Sequence, residues 1–163
     1  MTQNDLFIKR DRMRYTKDSL SSGLVLLAIV FNVLYFVSIY QSDVGAYYYN
    51  WLIGASVIYN LLFLLIAFLI SQGVKNRKTG YGATLLIIGL MQIVRVFYLP
   101  AKAHAAEVVI GGETLAVMAD KQYFYVVGCL VASAVCCVVA AVISYINNKQ
   151  LAQHMRELEK QSA

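Results

Sequence analysis

Charge is scarce in this chain. Only 14% of its 163 residues are Asp, Glu, Lys or Arg, against about 25% in a soluble domain. Hydrophobic residues make up 60%, and mean hydropathy is +0.61. That deficit excludes an ordinary soluble globular domain. Proline is rarer still, with Pro100 its single occurrence, so the apolar stretches run without a helix breaker. Catalytic patterns are missing too. The three cysteines, Cys129, Cys136 and Cys137, lack the Cys-x-x-Cys spacing of a dithiol or zinc centre. His104 and His154 fall on opposite sides of the last apolar run, and there is no Gly-rich phosphate loop, Ser-His-Asp grouping or paired carboxylate. The sequence therefore offers no catalytic residue, no cofactor-binding residue and no metal site. The expectation is a protein that is not an enzyme and uses no cofactor.

What is present in abundance is apolar length. Four runs, at about 20–40, 49–70, 82–99 and 123–145, approach the ~20 residues that cross a hydrocarbon core ~30 Å thick at 1.5 Å per residue. They predict an all-α membrane protein, a four-transmembrane-helix bundle occupying 19–146. The first run follows a long charged lead-in and exceeds the ~7–15 apolar residues of a signal core, so it reads as an uncleaved span.

The charges sort by side. Lys9, Arg10, Arg12, Arg14 and Lys17 precede the first span. Lys75, Arg77 and Lys78 fill the second connection, and Lys149, Arg156 and Lys160 lie in the tail. The opposite side carries only Lys102 and Lys121. The positive-inside bias puts both termini in the cytoplasm, with the spans in the cell membrane. Topology accounts for the net charge of +5, so no nucleic-acid partner is implied. The basic segment 1–18 can also touch anionic membrane lipid, or offer a docking surface to a cytoplasmic partner.

Aromatic residues mark the outer rim. Tyr40, the run "YYYNW" after the short loop "QSDVGA", Tyr98, Tyr123, Phe124 and Tyr125 form an interface belt. The third connection, 100–122, contains "EVVI-GG-ETLAVM". Two β-favouring runs around Gly111-Gly112 predict a short external β-hairpin between the third and fourth spans. Pro100 is expected to end the third helix, because the residue before a proline disfavours helical geometry. Ser19, Ser21 and Ser22 are candidate caps for the first helix. In the tail, 147–163, Leu151, Met155 and Leu158 share a helical face, an amphipathic extension that Asn147-Asn148 can break.

Two sets of intramembrane residues stand out. In the fourth span Gly128, Ala132, Cys136, Ala140 and Ser144 recur every four residues, beside a second row of Cys129, Ser133, Cys137 and Ala141. Small residues let helices approach closely in lipid, so the first row is a candidate packing seam, facing a helix of this bundle or of a second copy. The other set is polar: Asn32, Asn60, Gln92 and Arg95. The amides must face protein, either as bundle glue or as the lining of a polar path. Arg95 stands four residues before Leu99, ~6 Å inside the expected helix end. Its side chain leans toward the helix N-terminus, away from the rim. It therefore calls for a partner: Asp43, Glu107, Glu113 or Asp120 outside, or a tyrosine face.

The stretches "KRDRMRYTKDSL", "LYFVSIYQSDVGAYYYN" and "QIVRVF" resemble small four-span bacterial membrane proteins without an assigned activity, whose genes sometimes neighbour those of sugar ABC importers. The resemblance covers most of the chain and implies topology; it brings no catalytic residue. Small multidrug exporters need a glutamate within the first span, which is absent here. The expected function is thus a non-catalytic inner-membrane subunit, a homo-oligomer or an accessory to other membrane subunits such as those of a transporter. The alternative is a small oligomeric transporter or channel with its path through Asn32, Asn60, Gln92 and Arg95, and a membrane enzyme is the third reading, behind both.

Overall fold

The computed structural model describes residues 16–40, 51–110 and 113–162. Most of the basic lead-in, the loop with Asp43 and Tyr47–Tyr49, and the Gly111-Gly112 pair lie outside them. The elements are α1 (Ser19–Tyr40), α2 (Trp51–Lys75), α3 (Tyr81–Tyr98), α4 (Pro100–Ala105), β1 (Glu107–Ile110), β2 (Glu113–Ala116) and α5 (Asp120–Ser162). Four helices are long and apolar enough to cross a membrane, and the chain is a multi-pass helical bundle.

The ends of these helices follow from local chemistry. α1 is capped by Asp18, not by one of the serines after it. Its Oδ1 accepts the Ser21 backbone N–H at 3.1 Å and its Oδ2 the Ser21 hydroxyl at 2.7 Å, the arrangement that satisfies an orphan first-turn donor. α2 runs on to Lys75 and ends where Arg77 takes a φ of 51°. α5 is one continuous helix of 43 residues, ~65 Å long. Asn147-Asn148 therefore do not break it: Asn147 Nδ2 instead donates to Asp18 Oδ2 at 2.8 Å, which ties α5 to the start of α1.

Pro100 does not stop the third span either. Leu99 keeps helical angles, φ −95° and ψ −49°, and Pro100 opens α4 as its first residue. That position needs no N–H donor, so proline is tolerated there. The helical path thus goes on to Ala105, and what the sequence suggests is a helix end is a joint within the span.

The hairpin pairs antiparallel, Glu107 with Ala116 through Ile110 with Glu113, which leaves Gly111-Gly112 between the strands. It is anchored by the residues that follow it. The Val117 N–H donates to Ala106 O at 3.0 Å, and Val117 and Met118 are buried against Leu99, Ala103, Val126 and Leu130. An isolated two-stranded hairpin is marginal in water, and this apolar foot is what holds it.

The bundle packs through small residues. Gly89 of α3 lies so close to α5 that a Cβ there would be 3.2 Å from Cys137 Cβ and 3.4 Å from Ala134 O; one at Gly82 would be 3.6 Å from Ala141 O. In α5 the face turned to the bundle is the second row. Cys129, Ser133, Cys137 and Ala141 are all buried. Of the first row, Ala140 and Ser144 are buried, Ala132 and Cys136 half-buried, and Gly128 exposed with no atom within 4 Å of a Cβ placed on it. Within this chain, then, the seam at Gly128–Cys136 is not the contact.

Candidate functional site: a polar layer around Arg95

The buried apolar residues fall into two clusters. One gathers Tyr35, Ile39, Ile53, Val96, Leu99 and Leu130 toward the hairpin end. The other gathers Val25, Ala28, Phe63, Ala67, Leu85 and Cys137 toward the opposite end. Between them, on every long helix, the buried position is polar: Asn32 on α1, Ser56 and Asn60 on α2, Gln92 and Arg95 on α3, and Ser133 on α5. The bundle thus has one polar layer closed by apolar packing on both sides.

The layer brings together all four intramembrane residues that the sequence marks. Arg95 Nη1 donates to Asn32 Oδ1 at 2.7 Å and to Gln92 Oε1 at 2.9 Å. Arg95 Nη2 donates to Asn60 Oδ1 at 2.8 Å. Gln92 Nε2 donates to Asn32 Oδ1 at 3.1 Å, and Asn32 Nδ2 to Asn60 Oδ1 at 3.1 Å. Each asparagine oxygen therefore accepts two hydrogen bonds, which fills its lone pairs. The remaining amide donors end on neighbours. Asn60 Nδ2 reaches Ser56 O at 2.8 Å, and Gln92 Nε2 also approaches Ser133 Oγ at 3.5 Å. The Ser133 hydroxyl itself donates to Ala28 O at 3.0 Å. Exposure is 0% for Asn32 and Gln92, 2% for Asn60 and 7% for Arg95, so water takes little part.

Two tyrosine rings complete the shell. The guanidinium carbon stands 4.6 Å from the Tyr35 ring centroid and 4.5 Å from that of Tyr59. A cation over an aromatic face is attracted by the ring quadrupole, more strongly where water is excluded. The tyrosine face expected for Arg95 is thus present, but it comes from α1 and α2 rather than from the outer loop or the hairpin. Two of the four expected acidic partners are placed elsewhere. Neither Glu107 nor Asp120 touches Arg95, and Asp120 instead meets His104 Nε2 at 3.0 Å. Asp43 and the side chain of Glu113 lie outside the described part of the structure.

Two physical reasons explain the difference. The lean of helical side chains toward the N-terminus carries the guanidinium inward. The span also continues past Pro100, so Leu99 does not mark the rim. The partners fix the depth: Asn32 is ~12 Å along α1 from Tyr40, and Asn60 ~14 Å along α2 from Trp51. Arg95 is an interior charge, solvated by amide oxygens and aromatic faces.

Tyr35, Ser56, Tyr59 and Ser133 complete the layer without having been marked as part of it. A signal for Tyr35 and Ser133 was present. Tyr35 falls three residues after Asn32, on the same helical face, and Ser133 is the one hydroxyl in the small-residue rows near mid-span.

Among the described residues no group of three or more His, Cys, Asp or Glu could hold a metal ion. No family model, no curated protein and no solved structure matches this chain.

Proposed function

We propose that this protein is a non-catalytic subunit of the cytoplasmic membrane, with both termini in the cytoplasm, self-associating or accessory to a larger complex such as a transporter. One observation carries the reading: the four intramembrane polar side chains are spent on one another. A substrate at this layer would have to displace these bonds. Here both asparagine oxygens are doubly occupied and the guanidinium is shared among three amides. The layer fastens four helices together, as interhelical polar contacts do in lipid. A conducting path would need the two flanking apolar clusters to open. At the outer end of the first small-residue row, Gly128 is exposed and Ala132 half-buried, which leaves a close-approach surface for another helix among the described residues.

The test is affinity purification of the full chain from native membranes in mild detergent, with mass spectrometry and cross-linking. Additional membrane subunits or further copies of the chain are expected. A strict monomer in detergent and bilayer, with no co-purifying protein, would overturn the proposal. Liposome flux abolished by Asn60→Leu or Arg95→Ala in a folded protein would move the function to the polar path instead.

A further inference from the structure

A groove of about 820 Å³ opens between the start of α3 and α5, at the end of the bundle where Asp18 bonds to Lys75 O and Asn147. Its two walls differ in kind from the polar layer. Leu86, Ala141, Val142 and Tyr145 supply an apolar channel, and Thr79, Gly80, Asn148 and Lys149 stand at its polar mouth.

Polar groups at that mouth and beside the groove lack a partner. α3 starts after Gly80, φ 98°, with no side-chain cap, so its first-turn N–H groups and the positive end of its dipole are open to an anion. Ser144 is 1% exposed, yet its Oγ has no hydrogen-bond partner. It lies 3.8 Å from where a Cβ of Gly82 would stand, beside Ala141, and both Gly82 and Ala141 line the groove. Asn148 Oδ1 is likewise buried and unpartnered, and Asn148 is itself a lining residue. Lys149 adds a positive charge, Lys78 precedes the lining residue Thr79, and no carboxylate among the described residues lines the groove.

These parts match one chemistry. A phosphate suits the helix start and Lys149. An acyl chain suits Leu86 and Val142. A hydroxyl-bearing headgroup supplies the donor that Asn148 Oδ1 lacks. We propose that the groove holds one anionic phospholipid with a hydroxylated headgroup, phosphatidylglycerol being the simplest case. The proposal rests on the membrane-spanning reading and is independent of the subunit's partners.

Full-length protein in neutral detergent, titrated separately with phosphatidylglycerol and phosphatidylcholine and read by native mass spectrometry, tests it. One phosphatidylglycerol per chain should be retained at a concentration roughly fivefold lower than phosphatidylcholine, the factor that one lysine at an anionic headgroup supplies. Lys149→Gln should erase that preference. Ala83→Phe, which fills the groove from an exposed position, should abolish retention with an unchanged melting temperature in lipid-free detergent. If that variant does not fold, Val142→Trp fills the opposite wall. Equal retention of the two lipids by the natural chain, or undiminished phosphatidylglycerol on a folded groove-filled variant, would overturn the proposal. A chain that stays soluble without detergent would instead defeat the membrane reading itself.

Discussion

Two buried charges in this molecule are handled in parallel but at different depths. Arg95 lies in the middle of the bundle and is held by three amide oxygens and two aromatic faces. Asp18 lies at the end of α1, 4% exposed, and accepts from a backbone N–H, a hydroxyl and an amide. Among the described residues neither has a counter-ion as partner; neutral dipoles do the solvating. The polarity also suits the helix, with the anion at the N-terminus of α1 and the cation in the last turn of α3. The difference lies in the alternative each charge has. If its partners are removed, Asp18 can be reached by water at the helix end, while Arg95 is enclosed by apolar layers. A lost partner should therefore cost more at the centre than at the end.

The largest effect should come from Asn32→Leu. It strips an acceptor from both Arg95 and Gln92 and a donor from Asn60, and leaves a buried charge underpaired. A loss of about 3–5 kcal/mol is expected in denaturant unfolding of the detergent-solubilised protein. A cost below that of removing Asp18 would break the depth argument.

Arg95→Met should cost less, about 2 kcal/mol, because the asparagine oxygens keep Gln92 and Asn32 as donors and only Gln92 Oε1 loses its donor. Replacing Arg95, Asn32, Asn60 and Gln92 together by leucine should recover much of the Asn32→Leu loss, to within about 2 kcal/mol of the natural chain, since apolar replacement of a whole buried polar group is often neutral. Ser133 would keep its bond to Ala28 O. A quadruple variant that folds and still finds its partners supports fastening as the role. One that folds but loses them would give the layer a part in recognition.

At the helix end, Asp18→Ala removes a cap and should lower stability by about 1 kcal/mol, read in the same unfolding assay. Smallest of all should be Ser22→Ala. It deletes the 2.8 Å contact between the Ser22 and Ser71 hydroxyls, at about 0.6 kcal/mol for an average interhelical polar pair. An effect larger than that of Asp18→Ala would show that the serine contact between α1 and α2 outweighs the cap and its tie to α5.

Much of this architecture was legible from composition and pattern. Apolar length located the four long helices, and β-favouring runs around a Gly-Gly pair located the hairpin. The cost of a lone amide or cation in hydrocarbon pointed to Asn32, Asn60, Gln92 and Arg95. Less legible was which way each helix is rotated. The two small-residue rows of α5 are about 100° apart around the helix, and both have the spacing of a seam. Only the approach of Gly89 and Gly82 to that helix selects the row of Cys137 and Ala141.

By itself, then, the sequence determined that the chain forms membrane-spanning helices and that a few polar groups within them require partners, because hydrocarbon offers none. The tertiary structure decided that those partners are one another. Helix rotation, the inward lean of Arg95 and the passage of the third span through Pro100 set the guanidinium at the level of Asn32 and Asn60. Those are relations between helices, which no single helix's pattern encodes.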